Sequence, residues 1–277
     1  QFDQVIAYFE AKYNGPPAWQ YSGTRFSLSA QVLVPRDITW DGTYFWVCGS
    51  NNRAVYKYTA AGVYTGTSFS TSSQATSPKG ITWDGTYFWA CGSNNDAVYK
   101  YTAAGVYTGT SFSVASQAIS PKGITWDGTY LWVVGASSDR VYKYNTAGVY
   151  QNVNFFVGSQ DTNPEAITWD GTHFWIVGRS TDTVYKYNAA GVYQNVNFSV
   201  AGQETLPRGL TWDGNYFWVI GDNLSAYSYT AAGVYTGKSF SVSATAPEGI
   251  LWDGTDLWIV GRDGSKFVSK YSYLPTP

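Results

Sequence analysis

Ile81-Thr82-Trp83-Asp84-Gly85-Thr86-Tyr87-Phe88-Trp89 is the stretch that decides the fold. Its first five residues begin at Ile38, Ile81, Ile124 and Ile167, and return as Leu-Thr-Trp-Asp-Gly at Leu210 and Ile-Leu-Trp-Asp-Gly at Ile250. Successive copies are spaced by 43 residues, except the last, which follows after 40. Residues 38–71 and 81–114 differ at only three positions, Val47/Ala90, Arg53/Asp96 and Thr71/Val114. Self-similarity at this period marks an array of one duplicated supersecondary unit.

Working outward from the motif, each unit reads as β throughout. Arg36 to Trp40 is a short strand and Asp41-Gly42 a tight turn. Tyr44 to Cys48 is aromatic and β-branched, as strands prefer. A polar loop, Gly49 to Arg53, leads to the alternating strand Val55 to Tyr58; Ala60-Ala61-Gly62 turns the chain, and Val63 to Thr71 forms a fourth strand. No stretch of the unit has helical periodicity. Four antiparallel strands every 40–45 residues describe a blade, so six copies predict an all-β, six-bladed β-propeller. Tyr21-Ser-Gly-Thr-Arg-Phe-Ser matches the fourth strand of later units yet precedes the first, whereas the sixth unit stops after its third strand. The N-terminal strand is therefore expected to complete the last blade and leave no open edge. The expected organisation is an N-terminal arm over residues 1–20, one propeller over 21–273 and a tail over 274–277. Within the arm, Phe2, Val5, Ile6 and Phe9 favour a helical face, with the strand-like alternation of Val5, Ala7, Phe9 and Ala11 as the alternative, and docking through residues 1–20 is an expectation.

Pro78-Lys79-Gly80-Ile81, Asp84-Gly85 and Val98-Tyr99-Lys100-Tyr101 together resemble the NHL-type six-bladed propeller repeat over about nine-tenths of the chain. The aromatic-rich version Trp-Asp-Gly-Thr-Tyr-Phe-Trp-Val is also similar to repeats of secreted bacterial and phage virion proteins. The resemblance implies the fold; propellers of this type include binding platforms, lectins and hydrolases.

Aromatics make up 18% of the chain and charged residues 13%, so there is ample material for a core and disorder is excluded. A net charge of −2 without a Lys/Arg block gives no nucleic-acid footprint. No apolar run approaches the roughly 18 residues of a membrane-spanning helix, and no membrane insertion is expected. Met is absent and the sequence begins at Gln1, from which a processed or internal start is expected. Cys48 and Cys91 occupy matching places in two units and read as small buried hydrophobes, with a disulfide between neighbouring units as the alternative.

Comparison among the units separates scaffold from surface. Asp41 and its counterparts suit Asx hydrogen bonding within a hairpin better than six catalytic carboxylates. The mid-strand series Trp46, Trp89, Trp132, Trp175, Trp218 and Trp258 reads as packing between blades, with a sugar-stacking platform as the alternative. Variation concentrates in two places expected to open on one face around the channel mouth. Arg36, Lys79, Lys122, Glu165, Arg208 and Glu248 share one position before the first strand. Arg53, Asp96, Arg140, Arg179 and Arg262 belong to the loop between the second and third strands. Charges at such tips are often only solvated, but binding residues favour loops held by a rigid scaffold. The single histidine, His173, stands where four other units carry Tyr and has no nucleophile motif beside it, and ligands for zinc are too few. The expectation is a non-enzymatic recognition or adhesion module, extracellular or virion-associated, binding a protein or glycan surface without metal or cofactor. A multivalent lectin using inter-blade clefts is the alternative, and a channel-metal hydrolase ranks below both.

Overall fold

The computed structural model describes residues 18–28, 31–74, 77–118, 120–242, 246–261 and 266–274. Among them the chain forms six four-stranded antiparallel sheets and no helix. In the first sheet, Pro35–Trp40, Tyr44–Gly49, Ala54–Thr59 and Tyr64–Ser70 follow one another from the inside of the ring outward. These bounds lie within a residue or two of the expected strands. The first strands of neighbouring sheets pack side by side, so together they wall a central channel.

The hairpin between first and second strands is built by one aspartate. Asp41 Oδ1 accepts from the amides of Thr43 (2.8 Å) and Tyr44 (2.7 Å), and Oδ2 accepts from Trp46 Nε1 (2.7 Å). All three bonds recur at Asp84, Asp127, Asp170, Asp213 and Asp253. The carboxylate thus closes the turn and satisfies an indole N–H that burial would otherwise orphan. The indoles of Trp46 and its five counterparts are 0–1% exposed, which settles them as core between blades and removes the sugar-stacking alternative. Trp46, for example, packs on Phe69 of its own blade and on Phe88 and Ile81 of the next.

The ring closes as expected. Ala18–Ser27 pairs antiparallel with Phe267–Leu274 and completes the sixth sheet, with Phe26 opposite Val268. This strand begins at Ala18 rather than Tyr21; the rest of the proposed arm lies outside the described residues. Phe26 then packs into the first blade against Tyr58, ring centroids 5.1 Å apart. Cys48 and Cys91 are buried free thiols rather than a disulfide, and burial pushes the Cys91 thiol up to about 12.

A second contact recurs between blades: in the first five blades the turn glycine before the fourth strand lies against the fourth-strand Phe of the preceding blade. Gly105, at φ +79°, has no room for a Cβ, which would stand 2.4 Å from Phe69 Cδ1. Gly109 has a similar φ of +81° but open space around it. Gly105→Ala is therefore expected to lose roughly 2–4 kcal/mol, strain plus overpacking, and Gly109→Ala only about 1 kcal/mol of strain. Urea unfolding of the two variants checks this, and equal losses would discount the inter-blade contact.

Candidate functional site

Each first strand starts with a bulge, the register slipping between Pro35 and Asp37 and at the matching place in the other five sheets. The bulge sets the residue after proline at the channel mouth. Arg36, Lys79, Lys122, Glu165, Arg208 and Glu248 accordingly converge on one cavity of about 360 Å³ along the channel axis. The other predicted series divides. Arg179 reaches the same cavity. Arg53, Asp96 and Arg140 do not line it. Arg53 stands exposed at a loop tip, Asp96 Oδ1 accepts from the Ser120 amide at 2.8 Å, and Arg140 Nη1 donates to Asn154 on the outermost strand at 2.6 Å. Arg262 lies outside the described residues.

The converging charges are organised. Glu248 receives Arg36 at 3.1 Å from one side and Arg208 at 3.4 Å from the other. Arg208 also holds Asp222 through two nitrogens, Nη2 at 3.2 Å, and Arg179 Nη2 stands 3.6 Å from the same carboxylate. That carboxylate and burial act in opposite directions on Arg208, and the net effect raises its already high pKa. Across the mouth, Lys122 binds Glu165 and donates to Asn163 Oδ1 at 3.1 Å. Lys79, half-buried between Arg36 and Lys122, makes no hydrogen bond or ion pair among the described residues.

Sequence reasoning missed Asp37. The other sheets carry Gly80, Gly123, Ala166, Gly209 and Gly249 at its position, so a departure from a small residue was the available signal. Its side chain lines the cavity and bridges two blades, Oδ1 accepting from the Ile38 amide and Oδ2 from the Ile81 amide, each at 2.9 Å. Burial pushes its carboxyl up to about 7, against the pull of the two amides. A carboxyl titrating near neutrality in a polar cavity is able to donate or accept a proton there.

His173 starts the second strand of its blade beside the Asp170 turn and is not part of the cavity lining; its Nδ1 stands 4.0 Å from Asp170 Oδ2. Among the described residues no group of three or more His, Cys, Asp or Glu side chains is placed to hold a metal ion.

No protein-family model matches the sequence, and no curated protein matches it. The fold has solved counterparts. Virginiamycin B lyase from Staphylococcus aureus superposes with a TM-score of 0.68 at 13% identity, over 92% of this chain and all of that one. A catalytically inactive histidine-to-alanine variant of that enzyme with quinupristin gives 0.68 at 15% identity, with the same coverage. The WD40 β-propeller domain of Doa1 gives 0.67 at 8% identity, over 93% of this chain and 98% of that one. At such identities the likeness is one of fold. It corrects the expectation that the chain is not an enzyme: propellers of this architecture include lyases, so neither the fold nor a shortage of familiar motifs excludes catalysis.

Proposed function

We propose that this propeller is a recognition scaffold that takes its ligand at the channel mouth, holding a charged group that projects from a protein or glycan surface. The observation that carries the reading is the convergence of the repeat's variable charged position, six times over, on one cavity. A rigid scaffold that varies only where it meets a partner is the arrangement expected of a binding surface. The resemblance of the repeat to those of secreted bacterial and virion proteins supports an exposed location, outside the cell or on a virion. Inter-blade lectin sites lose support because the rings they would use are buried.

The test begins with an array of glycans and surface proteins probed with the whole chain. Any ligand found is then retested with Lys79→Glu combined with Lys122→Glu, and with Lys57→Glu combined with Lys100→Glu, which lie over tyrosine rings away from the cavity. The channel pair is expected to weaken binding at least a hundredfold, about 3 kcal/mol, with the outer pair near wild type. Undiminished binding by the channel pair overturns the reading.

Asp37 favours a second reading, in which the channel acts on its ligand with this carboxyl as general acid or base. The pH at which Asp37 titrates decides it. A midpoint near 7 keeps the group matched to proton transfer, and one below 5 removes it.

A further inference from the structure

We propose that the Lys79 ammonium is the seat for a compact oxyanion, a carboxylate or phosphate group, held between the first and third blades at the channel mouth. The proposal rests on the channel-mouth reading and names the ligand group that enters it.

The argument is one of charge placement. Three consecutive blades present Arg36, Lys79 and Lys122, and the two acids of the series, Glu165 and Glu248, flank that run on blades four and six. Arg36 is committed to Glu248 and, through Nε, to Ser50 Oγ at 3.2 Å. Lys122 is committed to Glu165 and Asn163. Both flanking cations thus reach away from Lys79 toward acids of blades four and six. Asp37 makes no ion pair with Lys79; its oxygens are engaged by the Ile38 and Ile81 amides. Lys79 therefore remains a half-buried cation without a hydrogen bond or ion pair of its own among the described residues, between two cations that are each paired. Burial first, then the neighbouring Arg36 and Lys122, push its pKa below the ordinary lysine value. Glu248, acting more strongly than Lys122, and Glu165 pull the other way without reversing the shift.

Partly desolvated charge of this kind is stabilised by an opposite charge brought into contact. An oxyanion beside Lys79 completes the alternation that the rest of the ring already has. Arg36 and Lys122 on either side add to its attraction without leaving their acids. The cavity, about 360 Å³, admits a phosphate or the carboxylate end of a larger ligand and excludes a folded domain.

The experiment titrates inorganic phosphate and, separately, acetate into the whole ¹⁵N-labelled protein, with chloride holding ionic strength constant. Saturable shifts of the Lys79, Ile81 and Lys122 amides are expected, at least tenfold weaker in Lys79→Met and retained in Lys79→Arg. Lys57→Met, remote from the cavity, is expected to titrate like wild type. Response to phosphate alone assigns a phosphoryl group, and response to both admits a carboxylate. Absence of saturable channel shifts with either anion overturns the proposal, as does undiminished binding by Lys79→Met. Neither result touches the channel-mouth reading, which stands or falls on the double charge reversal with a macromolecular ligand.

Discussion

Between pH 4 and pH 8, the difference in unfolding free energy between Asp37→Ala and the unsubstituted chain is expected to move by about 2–4 kcal/mol in the variant's favour. The cause is the position of one carboxyl group. Burial raises Asp37 from an ordinary aspartate's 3.8 to about 7 in the folded protein. Between those values the folded chain binds a proton that the unfolded chain has released. The stability associated with this group is thus complete below pH 4 and is lost as pH rises through 7. The full gap corresponds to about 4 kcal/mol, and the partial opening of the side chain to the cavity screens it toward the lower figure. The groups facing Asp37 do not cancel the effect. Cys48 and Cys91, which burial pushes up, stay neutral throughout the range. Alanine fits because every other sheet carries glycine or alanine there, and all other titrations are common to both proteins. Urea unfolding at four or five pH values measures the difference; a constant one would mean that Asp37 ionises as an ordinary carboxylate.

Phe26→Ala is expected to lose about 3–5 kcal/mol, as much as the same change inside the ring. Phe26 is 7% exposed and packs on Tyr58, Phe45 and Trp258, joining the sixth blade to the first. The equivalent Phe155 is 5% exposed and packs on Trp132, Phe174 and Tyr187. If closure by the N-terminal strand has the same packing as the covalently continuous interfaces, the two variants fall together in urea midpoint. A loss under 1 kcal/mol for Phe26→Ala with a full loss for Phe155→Ala would make the closure an accessory contact. Arg25, whose guanidinium lies 3.3 Å from the centre of the exposed-side Phe267 ring, provides a surface comparison, and its removal is expected to cost about 1 kcal/mol or less.

The architecture was legible because the signal is periodic. A fixed spacing, Asp-Gly turns and two tryptophan series each repeat six times, so an error in one unit is corrected by the others. The bond from Trp46 Nε1 to Asp41 was not foreseen, although the five-residue spacing of the pair is constant. Strand periodicity tells which side a residue faces, not how a side chain curls back along its own hairpin. The site was legible in part for a similar reason. The position after proline is placed by the bulge and inherits the ring's geometry, so all six members converge. The second loop has no such constraint. At Arg53, Asp96, Asp139 and Asp182 its tip takes φ of 44–51°, and the chain reverses locally, leaving Arg179 alone of the predicted members among the described residues on the channel. Asp37 was hidden by its company: within a strand read as Arg36 to Trp40 it looked like ordinary alternation, and only alignment with Gly80, Gly123, Gly209 and Gly249 marks it as foreign. The exclusion of catalysis rested on counting known motifs, whereas enzymes share this fold at identities too low for motifs to carry over.

Closure by an early strand also sets the order in which the chain acquires its structure. Ser27 pairs with Phe267, 240 residues later, whereas every other strand pairing joins segments a few residues apart. At about 5–20 residues per second of synthesis, the N-terminal strand waits roughly 10–50 s for its partner. Meanwhile five sheets assemble from local hairpins, each supplied with its own fourth strand, and the early strand closely imitates those strands. Short-range pairing carries the smaller loop-closure entropy, so the local copies occupy their own sheets first and only the last sheet is left with a vacancy. Duplication thus creates a competition among similar strands, and chain connectivity is expected to resolve it, with the ring closing last.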